Sequence, residues 1–339
     1  MRADTHGRRR LAPALALALA STLLVTAFAP ADRPSDRPSD RPSDRPSDRA
    51  ADGPSDRAAG APSRVPRPVA AYDFEHPVPG DPARERDRGR SGTTIELVNG
   101  GAQARVRDDE RDGRVLRTRQ VSPATASADD WKAGVYGPQG VPTLHAFNGA
   151  RQTTVMGWFK MTGENPAPNS NTPDPNDRYN AIGLAGILSG TSQGHDVRAL
   201  LELITVEGEM KVVALGRRLD GGSSQTFAAD TDWRRILPPD TWVSLAATFD
   251  FDTGTMALYR DGRPLPGRHI VAGDPWAVQG PPEPDTASPT DPRGIKIGGS
   301  YPQNTQEGNP CDCRMDDLMF FDRALTPTEI MSQYRRTRG

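Results

Sequence analysis

"CDCRMDDLMFFDRALTPTEI", residues 311–330, decides how the rest of the chain is read. Met315 to Phe321 has the apolar content of a strand, yet Asp316 and Asp317 sit side by side among Leu, Met and Phe. Successive strand residues point to opposite faces of a sheet. One of the two acids is therefore expected to face inward or toward a rim, unless the strand is bulged. An ionised carboxylate buried without a partner is costly or shifts its pKa. The pair thus demands a counter-group. Past the strand, Thr326 is placed as an N-cap, Pro327 at the first helical position and Glu329 three residues after the cap. Ile330, Met331 and Tyr334 then give a short helix its apolar stripe.

Working outward, short β-type runs recur between Gly, Pro, Asn and Asp clusters. They are "VAAYDFE" (69–75), "TTVMGWFKM" (153–161), "AGILSG" (185–190), "RALLELITV" (198–206), "EMKVVALGRRL" (209–219), "TWVSLAATFDF" (241–251), "TMALYRDGRPL" (255–265) and "GIKIGGS" (294–300). Asp252-Thr253-Gly254 predicts a hairpin between two of them. In 241–251, Val243, Leu245, Ala247 and Phe249 share one face, and the opposite face is also largely apolar or small, as in a strand central to a sandwich. Many antiparallel strands with one terminal helix predict an all-β, two-sheet antiparallel jelly-roll sandwich with a short C-terminal helix.

These segments resemble the laminin-G-like jelly roll of the concanavalin A-like lectin/glucanase superfamily. The resemblance runs over most of 69–339 and is strongest in 241–335, with long interruptions at 76–130, 163–180 and 272–293. It implies a calcium ion at the sandwich rim, tying the first strand to the last. Carried over residue by residue, that implies Asp316 and Glu75, the acid after Phe74, as metal ligands. Calcium takes six to eight oxygens, so two carboxylates with backbone and water would suffice. The alternative is that Asp316 only accepts hydrogen bonds from a neighbouring loop. Asp317 is expected to face solvent.

The superfamily hosts lectins, glycosidases, adhesion modules and structural domains, so fold alone does not give function. A retaining glucanase needs two carboxyls about 5–5.5 Å apart. The nearest match, Glu202 with Glu207, is five residues apart, which sends the side chains to opposite faces, and Ile204 stands where a helper acid belongs. Glu207 and Glu209 flank Gly208, as in a solvated turn. His195-Asp196 has no nucleophile elbow beside it, and His76, His145, His195 and His269 lack metal-ligand spacing. No catalytic residue is assigned. Of the five Trp, Trp158 and Trp242 are read as core, while Trp131, Trp233 and Trp276 lie in polar loops and are read as an aromatic ligand-binding rim. The alternative for each is an anchor tucked under its loop.

Cys311 and Cys313 are the only thiols. In a regular strand their Cα atoms would be about 6.6 Å apart, at the edge of disulfide reach. A bend near Asn309-Pro310 would let them close a tight ring. Free thiols, an intermolecular bridge and a redox role are the alternatives.

Residues 1–31 join a basic start to the apolar run "LAPALALALASTLLVTAF" and small residues, the layout of a secretory signal peptide cut after Ala29 or Ala31. The repeat "DRPSDRPSDRPSDRPSDR" opens a segment, 32–68, with almost nothing to bury, read as a disordered linker. Residues 1–31 hold four of the 42 Lys+Arg and one of the 44 Asp+Glu, leaving 38 against 43. That slight acidic balance is not a nucleic-acid binder's footprint. The expectation is therefore a signal peptide, a linker and a jelly-roll domain at 69–339. It would be secreted, without a membrane span after cleavage, and would bind a cell-surface or matrix carbohydrate without catalysis. A structural or adhesion module that binds protein, or a glycoside-active enzyme, are the alternatives.

Overall fold

The computed structural model describes residues 66–119, 130–137, 139–148, 150–162, 182–188, 198–217, 224–270, 294–299 and 309–339. The signal peptide, most of the linker, Trp276 and His195 lie outside the described residues.

Strands open with β1 (Ala70–Tyr72), β2 (Pro77–Val78), β3 (Asp81–Glu85) and β4 (Ile95–Val98). A hairpin of β5 (Arg105–Asp108) and β6 (Gly113–Thr118) precedes β7 (Lys132–Tyr136) and β8 (Gln152–Met161). Then come β9 (Ile182–Leu188), β10 (Ala199–Val206), β11 (Glu209–Arg217) and β12 (Ser224–Ala229). One helical turn, α1 (Trp233–Ile236), leads to β13 (Val243–Asp250), β14 (Thr255–Arg260), β15 (Arg263–Pro264) and β16 (Gly267–His269). The chain closes with β17 (Gly294–Ile297), β18 (Asn309–Pro310), β19 (Cys313–Phe321) and α2 (Pro327–Thr337).

Two sheets result. One runs β15-β14-β13-β8-β19-β6-β5, with β1 also paired to β19; the other runs β16-β12-β11-β10-β9-β17-β7-β4-β3-β2, with β18 on β9. Apart from the short parallel β18–β9 contact, every pairing is antiparallel. The first and last strands are neighbours, Tyr72 opposite Leu318. The inner faces meet in one core: Val243, Leu245, Ala247 and Phe249 from β13 and Phe159 from β8 face Leu201, Leu203, Val212 and Ile297 of the other sheet.

Helix α2 covers the outer face of the first sheet. Met156, Ala246, Tyr259, Met319 and Phe321 form a second cluster there with Leu325 and Ile330. The capping box read from sequence is present: Thr326 Oγ1 accepts from Glu329 N–H, and Glu329 reaches back to Thr326 N–H.

The stretch 76–130, where the resemblance is interrupted, has strands of its own, since residues 77–118 build β2 to β6. These strands are short and rich in Arg and acids because they edge the sheets, where one side meets solvent. The expected hairpins are present: Glu207 and Gly208 both take positive φ between β10 and β11, and Gly254 does so between β13 and β14.

Cys311 and Cys313 are joined in a disulfide, with Cα atoms 5.2 Å apart. A bend at Asp312 draws them closer than a regular strand would, and both residues are buried where β19 begins. Thr118 Oγ1 donates to the Cys311 carbonyl, fixing that entry to β6.

Candidate functional site

The adjacent acids of β19 are explained by a bulge. The pairing of β19 with β8 shifts between Asp316 and Met319, and Asp317 takes φ +46°. Met315 points into the core, the extra residue is absorbed, and Leu318 and Phe320 return to the core. A bulge thus lets two consecutive side chains stay on the outer side without flipping the rest of the strand.

Both acids meet one cation. Arg111, from the β5–β6 turn, donates from Nε to Asp316 Oδ2 at 2.8 Å and from Nη2 to Asp317 Oδ2 at 2.6 Å. Asp316 Oδ1 accepts from the Asp317 N–H at 2.8 Å. The guanidinium lies 4.5 Å from the Trp158 ring centroid, and its side chain is only 7 % exposed. Asp317 therefore does not simply face solvent; it completes a fork with Asp316 around Arg111. Burial pushes Asp316 up to about 7, helped by the charge of Asp317 and opposed by Arg111. Asp317 is also raised, chiefly by burial.

The sign of this shift gives a testable consequence. A carboxyl whose folded pKa exceeds its unfolded value holds an extra proton in the fold, so stability falls as pH rises through the window between the two. Melting temperature is expected to decline from pH 5 to pH 8, and Asp316→Asn to flatten that decline. A scan of melting temperature against pH for both proteins checks it.

Around the fork opens a cleft of about 730 Å³. The end of the first strand supplies Asp73 and Glu75, and the β5–β6 hairpin supplies Arg107, Glu110, Asp112 and Arg114. The end of α2 supplies Arg336 and Arg338. That end is fixed to the sheet: Tyr334 stacks on Trp158 with centroids 5.6 Å apart, and Trp158 Nε1 donates to Thr337 Oγ1 at 2.8 Å. Beside the cleft, buried Asp108 accepts from Trp242 Nε1 at 3.2 Å and from Arg314 at 2.5 Å, with Lys160 3.7 Å away. Burial pushes Asp108 up, but the hydrogen bonds from Arg314 and Trp242 and the Lys160 charge outweigh it and leave its pKa lowered.

The residues expected to hold calcium reach the same cleft without forming a metal site. Glu75 Oε1 accepts the Arg114 N–H, and Asp316 is occupied by Arg111 and the Asp317 N–H. The counter-cation of Asp316 is thus a guanidinium of the chain itself. Among the described residues one group with metal-ligand spacing occurs, Asp73, His76 and Glu85. Its donors are already engaged: His76 Nδ1 with Asp73 Oδ1 at 2.8 Å, and Glu85 with Arg105 and the His76 N–H. Neither set fits the open, all-oxygen shell that calcium prefers.

Among the described residues the aromatic rim is not assembled either. Trp233 is 3 % exposed and packs in the core, anchoring α1, so it offers no face to a ligand. Trp131 is half-buried against the core, bridged to Arg119 and covered by Arg117. Of the two tryptophans read as core, Trp158 is buried behind Arg111, as expected. Trp242 is half-buried, with Arg111 and Lys160 each 5.8 Å from its ring centroid.

Arg111, the centre of the site, escaped the sequence reading. Asp112-Gly113 between "ARVRD" and "RVLRT" is a hairpin signature that could have placed it. A Cβ at Gly113 would meet the Glu75 carboxylate, which would have to move aside. The glucanase pair also separates as expected: Glu202 is buried in β10, and Glu207 lies exposed in the following turn.

Residues 137–331 match the profile described as the concanavalin A-like lectin/glucanases superfamily. Among solved structures, the botulinum neurotoxin type G receptor binding domain is 9 % identical with a TM-score of 0.48, covering 80 % of this chain and 51 % of that one. A Trypanosoma rangeli sialidase in complex with 2,3-difluorosialic acid is 14 % identical with a TM-score of 0.48, covering 85 % and 36 %. This chain thus spans about half the length of the first and about a third of the second. No curated protein matches. With more than half of the chain matched and two antiparallel sheets closed around one core, the chain belongs to the concanavalin A-like lectin/glucanases superfamily.

Proposed function

We propose that this chain is an exported, non-catalytic binding module whose ligand is a carbohydrate of the cell surface or extracellular matrix. The observation that carries the reading is the wall of the cleft, where five arginines and six carboxylates stand among its lining residues. A sugar hydroxyl donates once and accepts twice, so a wall that interleaves planar donors with planar acceptors can satisfy it from both sides. Behind the wall, Trp158 stacks on Tyr334 and holds Arg111 in place, which lowers the entropy lost on binding. Export follows from the signal-peptide layout of residues 1–31. No helix among the described residues is long and apolar enough to cross a membrane.

Catalysis is disfavoured because the acids of the cleft with raised pKa are both clamped by Arg111, which leaves neither free to swing toward a glycosidic oxygen. The test is a glycan array with the full chain, followed by calorimetry on the best ligand. Arg114→Ala with Arg336→Ala, both exposed on the cleft, is expected to weaken binding about tenfold. Retention of no glycan would overturn the reading in favour of a protein-binding adhesion module. Release of reducing sugar would overturn it in favour of an enzyme.

A further inference from the structure

A second groove, of about 490 Å³, lies between the β14–β15 turn and α2. Its charged lining is Arg260, Asp261, Arg263, Arg335 and Arg338, four cations to one anion. Asp261 is within ion-pair distance of Arg260 alone, which leaves the other three cations without it. Its Oδ1 accepts the Ser244 N–H at 3.1 Å, and its Oδ2 stands 3.6 Å from Arg260 Nε, beyond hydrogen-bond reach. Arg260 Nε is buried with no hydrogen-bond partner. Among the described residues Arg263 and Arg335 have no carboxylate within ion-pair distance, and Arg338 touches only the Tyr334 ring, at 5.9 Å. Elsewhere Arg107, Arg151, Arg268, Arg314 and Arg323 each hold an acid.

The simplest account of Arg335 is complementarity to the C-terminal end of the helix dipole. That account does not reach Arg260 and Arg263, which come from a different element and line the same groove. The walls are also fixed to each other. Gly262 takes φ +76°, and a Cβ there would lie 3.0 Å from Met331 Sδ and 3.1 Å from Met331 Cα, so the turn is seated directly on α2. Between the cations lie Pro264, Leu265, Met331 and Tyr334. Such an apolar floor suits the CH face of a sugar ring.

We propose that this groove binds the anionic groups, carboxylate or sulfate ester, of an acidic polysaccharide. Guanidinium groups pair with both in bidentate fashion, and a concave groove with an apolar floor suits a chain of sugars better than a flat lipid surface. The proposal rests on the carbohydrate reading above but names a different site and a charged ligand.

The experiment titrates the full chain with a sulfated glucosamine–uronate oligosaccharide, an oligogalacturonate and an uncharged oligosaccharide of equal length, at low and near-physiological salt. The sulfated and uronate arms distinguish the two anions. At least one acidic ligand is expected to bind, more weakly as salt rises. Arg263→Ala with Arg335→Ala is expected to weaken it about tenfold or more, with melting temperature unchanged because both side chains are exposed. Equal binding of acidic and uncharged ligands overturns the proposal, as does full retention of acidic binding in the double variant. Tighter, arginine-dependent binding to phosphatidylglycerol vesicles overturns it in favour of a membrane. If Arg114→Ala with Arg336→Ala abolishes acidic binding instead, this groove is refuted while the first cleft stands. Loss of acidic binding only in the Arg263/Arg335 variant, with no neutral glycan retained by any protein, refutes the first cleft and leaves this groove.

Discussion

Arg111→Ala is expected to lower folding stability by about 3–5 kcal/mol, the range found when one partner of a buried ion pair is removed. The side chains of Arg111 and Asp316 are 7 % and 9 % exposed, so water cannot replace the lost cation at Asp316. Asp317 loses the same partner and is 29 % exposed, so its share is smaller. The variant also removes the cation stacked on Trp158 and leaves a void beside the Tyr334 stack. Urea denaturation at pH 7.5 measures the loss. Adding Asp316→Asn to Arg111→Ala is expected to recover part of it, because the uncompensated charge disappears with the acid. A loss below about 1 kcal/mol, the value of an exposed pair, would show that the fork is not buried as described.

Arg105→Ala is expected to cost a similar amount, about 3–5 kcal/mol, by a different route. Arg105 stands on β5 in one sheet and Glu85 on β3 in the other, and their side chains are 4 % and 0 % exposed. Nη2 donates to Glu85 Oε2 at 2.5 Å, Nε to the Phe74 carbonyl at 2.9 Å and Nη1 to the Pro82 carbonyl at 2.8 Å. One side chain therefore ties β5, at the edge of one sheet, to β3, next to the edge of the other, and to the end of the first strand. Phe74 has φ +60°, a conformation unfavourable for a bulky residue, and its carbonyl is one of those Arg105 holds. Burial raises the pKa of Glu85 against the opposing effect of Arg105. Without Arg105 the acid would take up a proton more readily, so the loss should be smaller at pH 5 than at pH 8. Arg151→Ala provides the contrast. Its partner Asp252 is exposed, and about 0–1 kcal/mol is expected.

What the sequence disclosed follows from where its physics is local. The strands central to each sheet were legible because both their faces are buried, which leaves an unbroken apolar run in β8, β10 and β13. The capping box of α2 was legible because a cap is written within four residues. The β5–β6 hairpin was not, since an edge strand with charges on alternate positions resembles a loop in composition. Its turn carries Arg111, so the site's centre was hidden with it. Asp316 was singled out correctly as needing a counter-charge, but that charge comes from a residue 205 positions away. Trp158 and Trp242 were both assigned to the core on strand pattern; Trp158 is buried against α2, whereas Trp242 lies just before β13 and is half-buried.

The antiparallel pairing of β1 with β19 has a mechanical consequence. Ala70 is opposite Phe320 and Tyr72 opposite Leu318, so tension arriving from Pro66 reaches the ladder at its Ala70 end and loads its rungs one after another. Pro66 is itself tethered, through its carbonyl, to Gln333 Nε2 on α2 at 2.7 Å. A pull on Pro66 would meet that bond first, then the bonds that hold Arg67, Pro68 and Val69 to Gly89, Arg90, Ser91 and Phe320, and only then unzip the three residues of β1 in sequence. The shear-resistant body of long strands behind them would be left unstretched.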